Sequence, residues 1–408
     1  MRRRRSRRRN KGLLMLLGGI VAVFAILAVI VGIKFAVKGV GNKNQDAKQE
    51  EEKKNQVLVD GVDLSCEHPV VRAGDALPMD VTVTPDNATN KELKWTVPEG
   101  MGTVDENNNY IPSEEAGKSN VQLTAKTVDG SDLSVELTVR VLEKIDPTKP
   151  MVALTYDDGP SDETTPTVLD ALEKHFGVAT FFMLGNRISG NEAILQRSYN
   201  LGNELANHSY DHPQLTNQGS EGVQSQLAQT DELIKNACPD ITSIIMRPPY
   251  GAFNDTVKSA ANRPIIMWSL DTLDWKTRNT QSDIDAALGA KDGDIVLMHD
   301  IHEPTVAAAE AIITGLQEKG FQLVTVSELY QYRKGEYGAG TVHYSMTLDE
   351  YNKIMAEEAA ATATEDETTV ESETVEGEGT DSEALDEDDA DMEDTVSTGD
   401  ASTESTAE

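Results

Sequence analysis

Hydrophobic and polar positions follow two different patterns along the middle of this 408-residue chain. From about residue 146 to residue 335, short apolar runs alternate with stretches that repeat an apolar position every three or four residues. The runs predict strands and the stretches predict helices, so we expect an α/β domain with a barrel-like arrangement. The predicted strands are 152–156, 179–184, 265–268, 295–298 and 323–326, and the predicted helices are 166–175, 223–235, 283–288 and 307–318.

Residues 56–145 show the second pattern, in which apolar and polar positions alternate with a period of two. The runs at 79–83, 93–97 and 134–141 are separated by turn sequences, and this arrangement predicts an all-β sandwich. The stretches 94–97, 102–105 and 123–126 resemble the bacterial Ig-like (group 2) domains. Such a module is more often a spacer or a weak wall-binding element than an enzyme, so no chemistry is expected from it.

The chain begins with an arginine-rich segment, residues 1–12, followed by a run at 13–35 that is apolar and uncharged until Lys34. About 20 apolar residues suffice to cross a bilayer as a helix, so this run predicts a transmembrane anchor. A cleavable signal peptide remains the alternative, although the only small-residue site, near Ala36, is a poor match. Basic residues stay in the cytoplasm, which predicts a single-pass protein of the cell membrane with its catalytic domain outside. Residues 36–55 are polar and are expected to be a linker.

Charge is segregated along the chain, whose formal net charge is −34. Beyond Lys353 there is no basic residue, and residues 356–408 are predicted to be an acidic disordered tail. In the extension at 336–355, Thr347 followed three residues later by Glu350 predicts the start of one last helix. We expect no nucleic-acid partner, and the sequence leaves the oligomeric state open.

Two cysteines, Cys66 and Cys238, occur in this exported chain, where disulfides are permitted. They belong to different predicted domains, so we expect two separate thiols, although the sequence alone leaves pairing open.

Four short segments of the α/β region contain residues suited to metal-assisted hydrolysis. Asp157 and Asp158 follow the first predicted strand, and His299 follows a late one, as expected for a barrel whose active residues lie at the C-terminal ends of strands. His208 and His212 are four apart, and with a carboxylate from another strand they would make a three-ligand metal site with open positions. Each segment alone has a plain structural explanation, as a turn or as surface histidines. Their occurrence together favours a site.

Taken in order, these segments resemble the five motifs of carbohydrate esterase family 4, the polysaccharide deacetylases with a NodB-homology domain. The resemblance covers residues 150 to about 335, under half of the chain. The motifs correspond to residues 155–160, 208–212, 247–254, 271–275 and 297–299. Five motifs in the family's order are a highly specific signal, and the resemblance implies a distorted (β/α) barrel and a metal-dependent hydrolase.

The resemblance implies that Asp158, His208 and His212 bind a divalent metal, with zinc first and cobalt, nickel or iron also compatible. It implies that Asp157 is the general base that acts on a metal-activated water, and that Arg247 holds its carboxylate. Adjacent strand residues point to opposite sides, so the two aspartates need a turn that redirects one of them.

The family further implies that His299 is the general acid and that Asp274 raises its pKa, with Asp271 ranked second for that task. The backbone N–H of Tyr250 would stabilise the oxyanion, and Trp275 and Leu297 would line the pocket for the acetyl methyl group. The other histidines, His68, His175, His302 and His343, are expected to be surface or packing residues, with His302 a weak substitute for His299.

We therefore expect a polysaccharide N-deacetylase whose substrate is the N-acetylglucosamine of peptidoglycan. Alternatives within the same chemistry are N-acetylmuramic acid, chitin oligomers and the O-acetyl groups of xylan. The alternative outside enzymology is a wall-binding protein, which a missing ligand or base would favour. None of these residues is missing here.

Overall fold

The computed structural model of the protein describes residues 56–242 and 244–358. The predicted basic segment, anchor and linker at 1–55 lie outside these residues. So does the predicted disordered tail of 356–408, except for residues 356–358, which are helical instead. Within the described ranges, no helix is both long enough and apolar enough to cross a membrane. The membrane anchor at 13–35 therefore stays a prediction.

The N-terminal module is the expected all-β sandwich. Its core is formed by side chains such as Tyr110, Leu123 and Val141, which are fully buried. The sheets have the orders β1-β4, β2-β9-β8-β5 and β3-β7-β6. The strands are β1 Gly61–Ser65, β2 Val70–Arg72, β3 Leu77–Pro78, β4 Asp80–Thr84, β5 Leu93–Thr96, β6 Thr103–Val104, β7 Asn109–Ile111, β8 Ser119–Thr127 and β9 Ser134–Leu142. The three predicted runs correspond to β4, β5 and β9, which confirms that part of the prediction.

The second module is an α/β barrel built mainly from parallel strands. Its strands are β10 Met151–Asp157, β11 Thr180–Met183, β12 Glu204–Asn207, β13 Ile265–Ile266, β14 Leu270–Asp271, β15 Asp294–His299, β16 Gln322–Leu323 and β17 Val342–His343. The order β12-β11-β10-β15-β14 forms most of the wall, and β16 also pairs with β10. Met246 bridges β12 to β13, and β13 pairs with β17. The α/β character is thus confirmed, and short β13 and β14 make the barrel irregular.

Eight α-helices surround this barrel within the described residues, and a further helix begins at Leu348. The eight are α1 Thr165–Lys174, α2 Glu192–Asn200, α3 Gly219–Ala237, α4 Asp255–Ala261, α5 Asp274–Thr277, α6 Thr280–Ala287, α7 Glu303–Glu318 and α8 Val326–Tyr332. The four predicted helices match α1, α3, α6 and α7. The sequence reading missed α2, α4, α5 and α8.

Two strand predictions were wrong in extent. The predicted strand 323–326 ends at Leu323, because Thr325 caps α8: its hydroxyl accepts from Glu328 N at 3.2 Å, and the Glu328 carboxylate accepts from Thr325 N at 2.9 Å. The predicted strand 265–268 is β13 alone, and the chain leaves it before Trp268.

The sandwich packs against the end of the barrel where the strands begin. Arg72 of β2 is buried and makes two hydrogen bonds of 2.8 Å to the carboxylate of Glu328. Arg140 of β9 donates to the carbonyls of Leu172, Glu173 and Leu201 at 3.0 to 3.2 Å. Arg140 satisfies carbonyls at helix ends, and Arg72 pairs with a carboxylate, so the two modules share a buried polar interface on the side away from the strand C-termini.

Two smaller predictions are confirmed. A helix begins at Leu348, with Thr347 and Glu350 forming the capping pair: Glu350 N donates to the Thr347 hydroxyl at 3.3 Å, and Thr347 N donates to the Glu350 carboxylate at 2.6 Å. Cys66 and Cys238 are both free thiols.

Candidate active site

The two aspartates at the end of β10 both reach one cavity. Asp157 is the last strand residue, and Asp158 has a left-handed backbone with φ of 73°. This turn redirects the second side chain, which an extended strand would have sent to the opposite face. As a result, His208 Nε2 lies 3.7 Å from Asp157 Oδ2 and 3.6 Å from Asp158 Oδ1. The adjacent pair thus has the geometry that two separate roles require.

His208 and His212 lie on the loop that follows β12. His208 Nδ1 donates to the carbonyl oxygen of Arg247 at 2.8 Å, which leaves Nε2 unprotonated and facing the aspartates. Burial lowers the pKa of His208 to about 3, so the ring is neutral and suited to metal ligation. His212 Nε2 lies 3.5 Å from Asp158 Oδ1.

These residues fit a divalent cation. One donor atom from each of Asp158, His208 and His212 lies within 4.8 Å of the other two. The buried Asp158 Oδ1 has no hydrogen-bond partner, which is costly for a carboxylate unless a cation satisfies it. Two imidazole nitrogens and one carboxylate oxygen are the donor set of many catalytic metal sites. Among the described residues, this is the one cluster of at least three such donors.

Arg247 is fully buried behind the cavity and holds Asp157. Its Nη1 donates to Asp157 Oδ1 at 2.6 Å and to the Thr155 hydroxyl at 2.8 Å. Its remaining donors reach the carbonyls of Ile266 and Met267. Burial raises the pKa of Asp157, and the guanidinium opposes that rise by favouring the charged form.

His299 ends β15, directly beside Asp157 in the sheet register. Its Nδ1 lies 2.9 Å from Asp274 Oδ1, and its backbone N–H donates to Asp274 Oδ2 at 2.8 Å. Burial alone would lower the pKa of His299, but the hydrogen bond and the charge of Asp274 raise it to about 9. The imidazole is therefore protonated at neutral pH and is available as an acid. Asp271 instead accepts from Leu273 N at 2.8 Å and, within the part of the chain that the structure describes, makes no hydrogen bond to His299.

A cavity of about 390 Å³ lies in front of these groups. Tyr250, Trp275 and Leu297, assigned to substrate binding from the sequence, all line it. Tyr250 has a left-handed backbone with φ of 60°, is 69% exposed and meets the His212 ring edge-on at 4.5 Å. Trp275 is 48% exposed at the rim, whereas Leu297 is buried at the floor. Arg247 and Asp274 stand behind the cavity wall.

Sequence reasoning missed part of the wall. Trp268 lines the cavity and lies 5.7 Å from the guanidinium of Arg247. Its place at the end of a predicted strand was the same signal that located Asp157. Pro248 and Gly251 also line the cavity.

Of the other histidines, His302 packs 5.6 Å from the His299 ring, whereas His175 bonds to Glu310 at 3.0 Å. His68 stacks on Tyr199, and His343 packs against Tyr330.

Comparison with known protein families agrees with this arrangement. The family profile described as "Polysaccharide deacetylase" matches residues 144–264, and the one described as "Bacterial Ig-like domain (group 2)" matches residues 58–135. The chain is 44% identical over 184 residues to a peptidoglycan-N-acetylglucosamine deacetylase, PgdA, from Listeria monocytogenes. That alignment covers 45% of this chain and 39% of the relative.

Two further relatives are, by their names, deacetylases of other substrates. The chain is 39% identical over 193 residues to the peptidoglycan-N-acetylmuramic acid deacetylase PdaC of Bacillus subtilis, covering 47% of this chain and 41% of that one. This chain thus spans about two fifths of the length of PgdA and PdaC. It is 34% identical over 189 residues to a chitooligosaccharide deacetylase of Sinorhizobium fredii, covering 42% of this chain and 88% of the relative. With nearly all of that relative matched, this chain belongs to the polysaccharide deacetylase family.

Proposed function

We propose that this chain is a metal-dependent hydrolase that removes N-acetyl groups from a cell-surface polysaccharide. The proposal rests on one observation: a carboxylate base, a set of metal donors and a protonated imidazole lie at one cavity. A carboxylate held by Arg247 lies beside a cluster of three metal donors, and an imidazole with a raised pKa ends the neighbouring strand. Hydrolysis of an amide needs a base, an acid and charge stabilisation, and these groups supply them.

The residues divide the work as follows. A divalent cation held by Asp158, His208 and His212 would polarise the acetyl carbonyl and lower the pKa of a neighbouring water molecule. Asp157 takes the proton from that water, since Arg247 fixes its carboxylate and favours the charged form against the effect of burial. His299 donates a proton to the leaving amine nitrogen, because Asp274 keeps the ring protonated and correctly turned.

Two features of the cavity bind the rest of the acetamide. The backbone N–H of Tyr250 is assigned to the oxyanion that forms when water adds to the carbonyl. Trp275 and Leu297 enclose the acetyl methyl group, because they present apolar surface at the rim and floor of the same cavity. Zinc suits two imidazoles and one carboxylate with open positions, and cobalt, nickel and iron are compatible with the same donors.

For the substrate we propose the N-acetylglucosamine of peptidoglycan. The identity to the Listeria protein named for that sugar is 44%, against 39% to the Bacillus protein named for N-acetylmuramic acid. The second sugar is therefore the main alternative, ahead of chitin oligomers and O-acetylated xylan. We also propose an extracellular site tethered to the membrane, on the strength of the apolar run at 13–35 and the basic residues before it.

Acetate release tests the function and the substrate together. The full-length protein is incubated with N-acetylated peptidoglycan, with a polymer whose muramic acid alone is acetylated, with chitin oligomers and with acetylated xylan. The proposal predicts the fastest release from the first, loss of release with a chelator, and recovery on adding Zn²⁺. Binding to all four polymers without acetate under metal-replete conditions would favour the wall-binding alternative. Metal analysis of wild type against His208→Ala checks the site separately.

A further inference from the structure

The loop that presents both histidines adopts an unfavourable backbone. Ser209 has φ of 74° and His212 has φ of 62°. The left-handed region is disfavoured for residues other than glycine, so such a conformation persists only where surrounding contacts impose it. One of the two strained residues is itself a candidate metal ligand. What holds this loop therefore decides where the His212 ring points.

The first half of the loop is fixed by its neighbours in the barrel wall. Ser209 N donates to the Asn207 side chain at 2.8 Å, and its carbonyl accepts from Gly185 N at 3.0 Å. The carbonyl of Tyr210 accepts from Asn186 N at 2.8 Å. These bonds restrain the chain near His208.

The second half is held by two side chains: the Ser209 hydroxyl accepts from His212 N at 3.1 Å, and Gln226 of α3 bonds to the two residues before His212. The Gln226 carbonyl oxygen accepts from Tyr210 N at 2.8 Å and from Asp211 N at 3.2 Å. Its amide nitrogen donates to Asp211 Oδ1 at 2.8 Å. One amide group thus satisfies two consecutive backbone donors and the side chain that precedes His212. It lies outside the five sequence motifs and takes no part in the chemistry proposed above.

We propose that Gln226 is a positioning residue that sets the affinity of the site formed by Asp158, His208 and His212 for a divalent cation. The inference rests on the proposed function only in assuming that this site binds such a cation. Residues that orient metal ligands commonly change metal affinity by about 10- to 100-fold when they are removed. Loss of Gln226 frees the loop to relax toward ordinary backbone angles, which carries the His212 ring away from its partners.

The test is a Co²⁺ titration of the full-length, chelator-stripped protein, followed by the visible absorption of the bound ion. Gln226→Ala is expected to bind Co²⁺ about 10- to 100-fold more weakly than wild type and with an altered band shape. The matched control is Gln229→Ala, on the same helix, because among the described residues the Gln229 side-chain amide hydrogen-bonds only to Ser225. This control is expected to stay within about twofold of wild type, as for surface changes.

A second pair of variants, which exchanges the carboxylate and the amide between positions 211 and 226, tests the inference even if Gln226→Ala folds poorly. Gln226→Glu places a carboxylate against that of Asp211 and is expected to weaken Co²⁺ binding. Adding Asp211→Asn restores the hydrogen bond in the opposite direction, because the new amide at position 211 donates to the new carboxylate at position 226. The double variant is therefore expected to recover most of the affinity for Co²⁺. Wild-type affinity in Gln226→Ala, or no recovery in the double variant, would overturn the inference alone. Absence of Co²⁺ binding in wild type would overturn the proposed metal-dependent function as well.

Discussion

The pair of His299 and Asp274 yields a prediction whose size can be worked out. Asp274→Asn removes the charge that faces His299 Nδ1 at 2.9 Å. With Asp274 present, the pKa of His299 is raised to about 9, from an ordinary value of 6.5. Burial remains in the variant and lowers that pKa, so we expect it to fall to 6.5 or below.

The expected loss of rate follows from the fraction of His299 that is protonated. At pH 7.5 an imidazole with a pKa near 9 is almost fully protonated, whereas one with a pKa near 6.5 is protonated in about one molecule in ten. Asp274→Asn should therefore lose roughly tenfold in rate at pH 7.5 from protonation alone, and more if the ring is misoriented. Because a general acid works only when protonated, the descending alkaline limb of the rate profile should move to lower pH.

The assay is acetate release between pH 5.5 and 10, expressed at each pH as the ratio of variant to wild type. The ratio should rise toward acid pH, since His299 regains its proton there. Asp271→Asn is the matched control, because Asp271 lines the same cavity but bonds to Leu273 N instead of His299. An alkaline limb still near pH 9 in Asp274→Asn would refute the assignment, and a shift in Asp271→Asn alone would transfer the role to that residue.

Two further predictions concern the turn after β10 and the interface between the modules. A methyl group added by Gly159→Ala would lie 2.6 Å from Asp300 Oδ1, so either the buried Asp300 side chain or the turn that carries Asp158 must shift. We expect the turn to shift, so Co²⁺ titration should show at least about tenfold weaker binding; unchanged affinity would contradict this coupling. Arg72→Ala leaves Glu328 without its buried partner and should lower the free energy of unfolding by about 3 kcal/mol or more in denaturant titrations. Lys91→Ala, which removes an exposed ion pair of 3.7 Å, is the control and should change it by less than about 1 kcal/mol.

Site residues could be located from the sequence where they directly follow a predicted strand. Asp157 and His299 were located by the rule that active residues follow barrel strands, and the structure places them in register on β10 and β15. The extent of the strand around Leu323 was predicted wrongly, because an apolar run does not reveal that Thr325 begins a helix. The role proposed for Gln226 could not be read from the sequence, since an uncharged helical residue leaves no signal of the loop it contacts.

The interface between the modules could not be predicted from the sequence either. Arg72 and Arg140 lie in alternating strands, where a charged side chain normally faces solvent. They are buried because the barrel supplies a carboxylate and helix-end carbonyls as partners, and such long-range partners are absent from any local pattern. The sandwich is therefore fixed to the barrel through contacts that only the tertiary structure shows.

The central claim is that Asp157, beside the metal donors, is the base of a deacetylation. The most direct measurement is acetate release from N-acetylated peptidoglycan by full-length wild type and by Asp157→Asn, each loaded with Zn²⁺ and checked for metal content. We expect both proteins to bind metal and the variant to lose at least about a hundredfold in rate, as is typical for removal of a general base. Equal rates in the two proteins would contradict this role of Asp157.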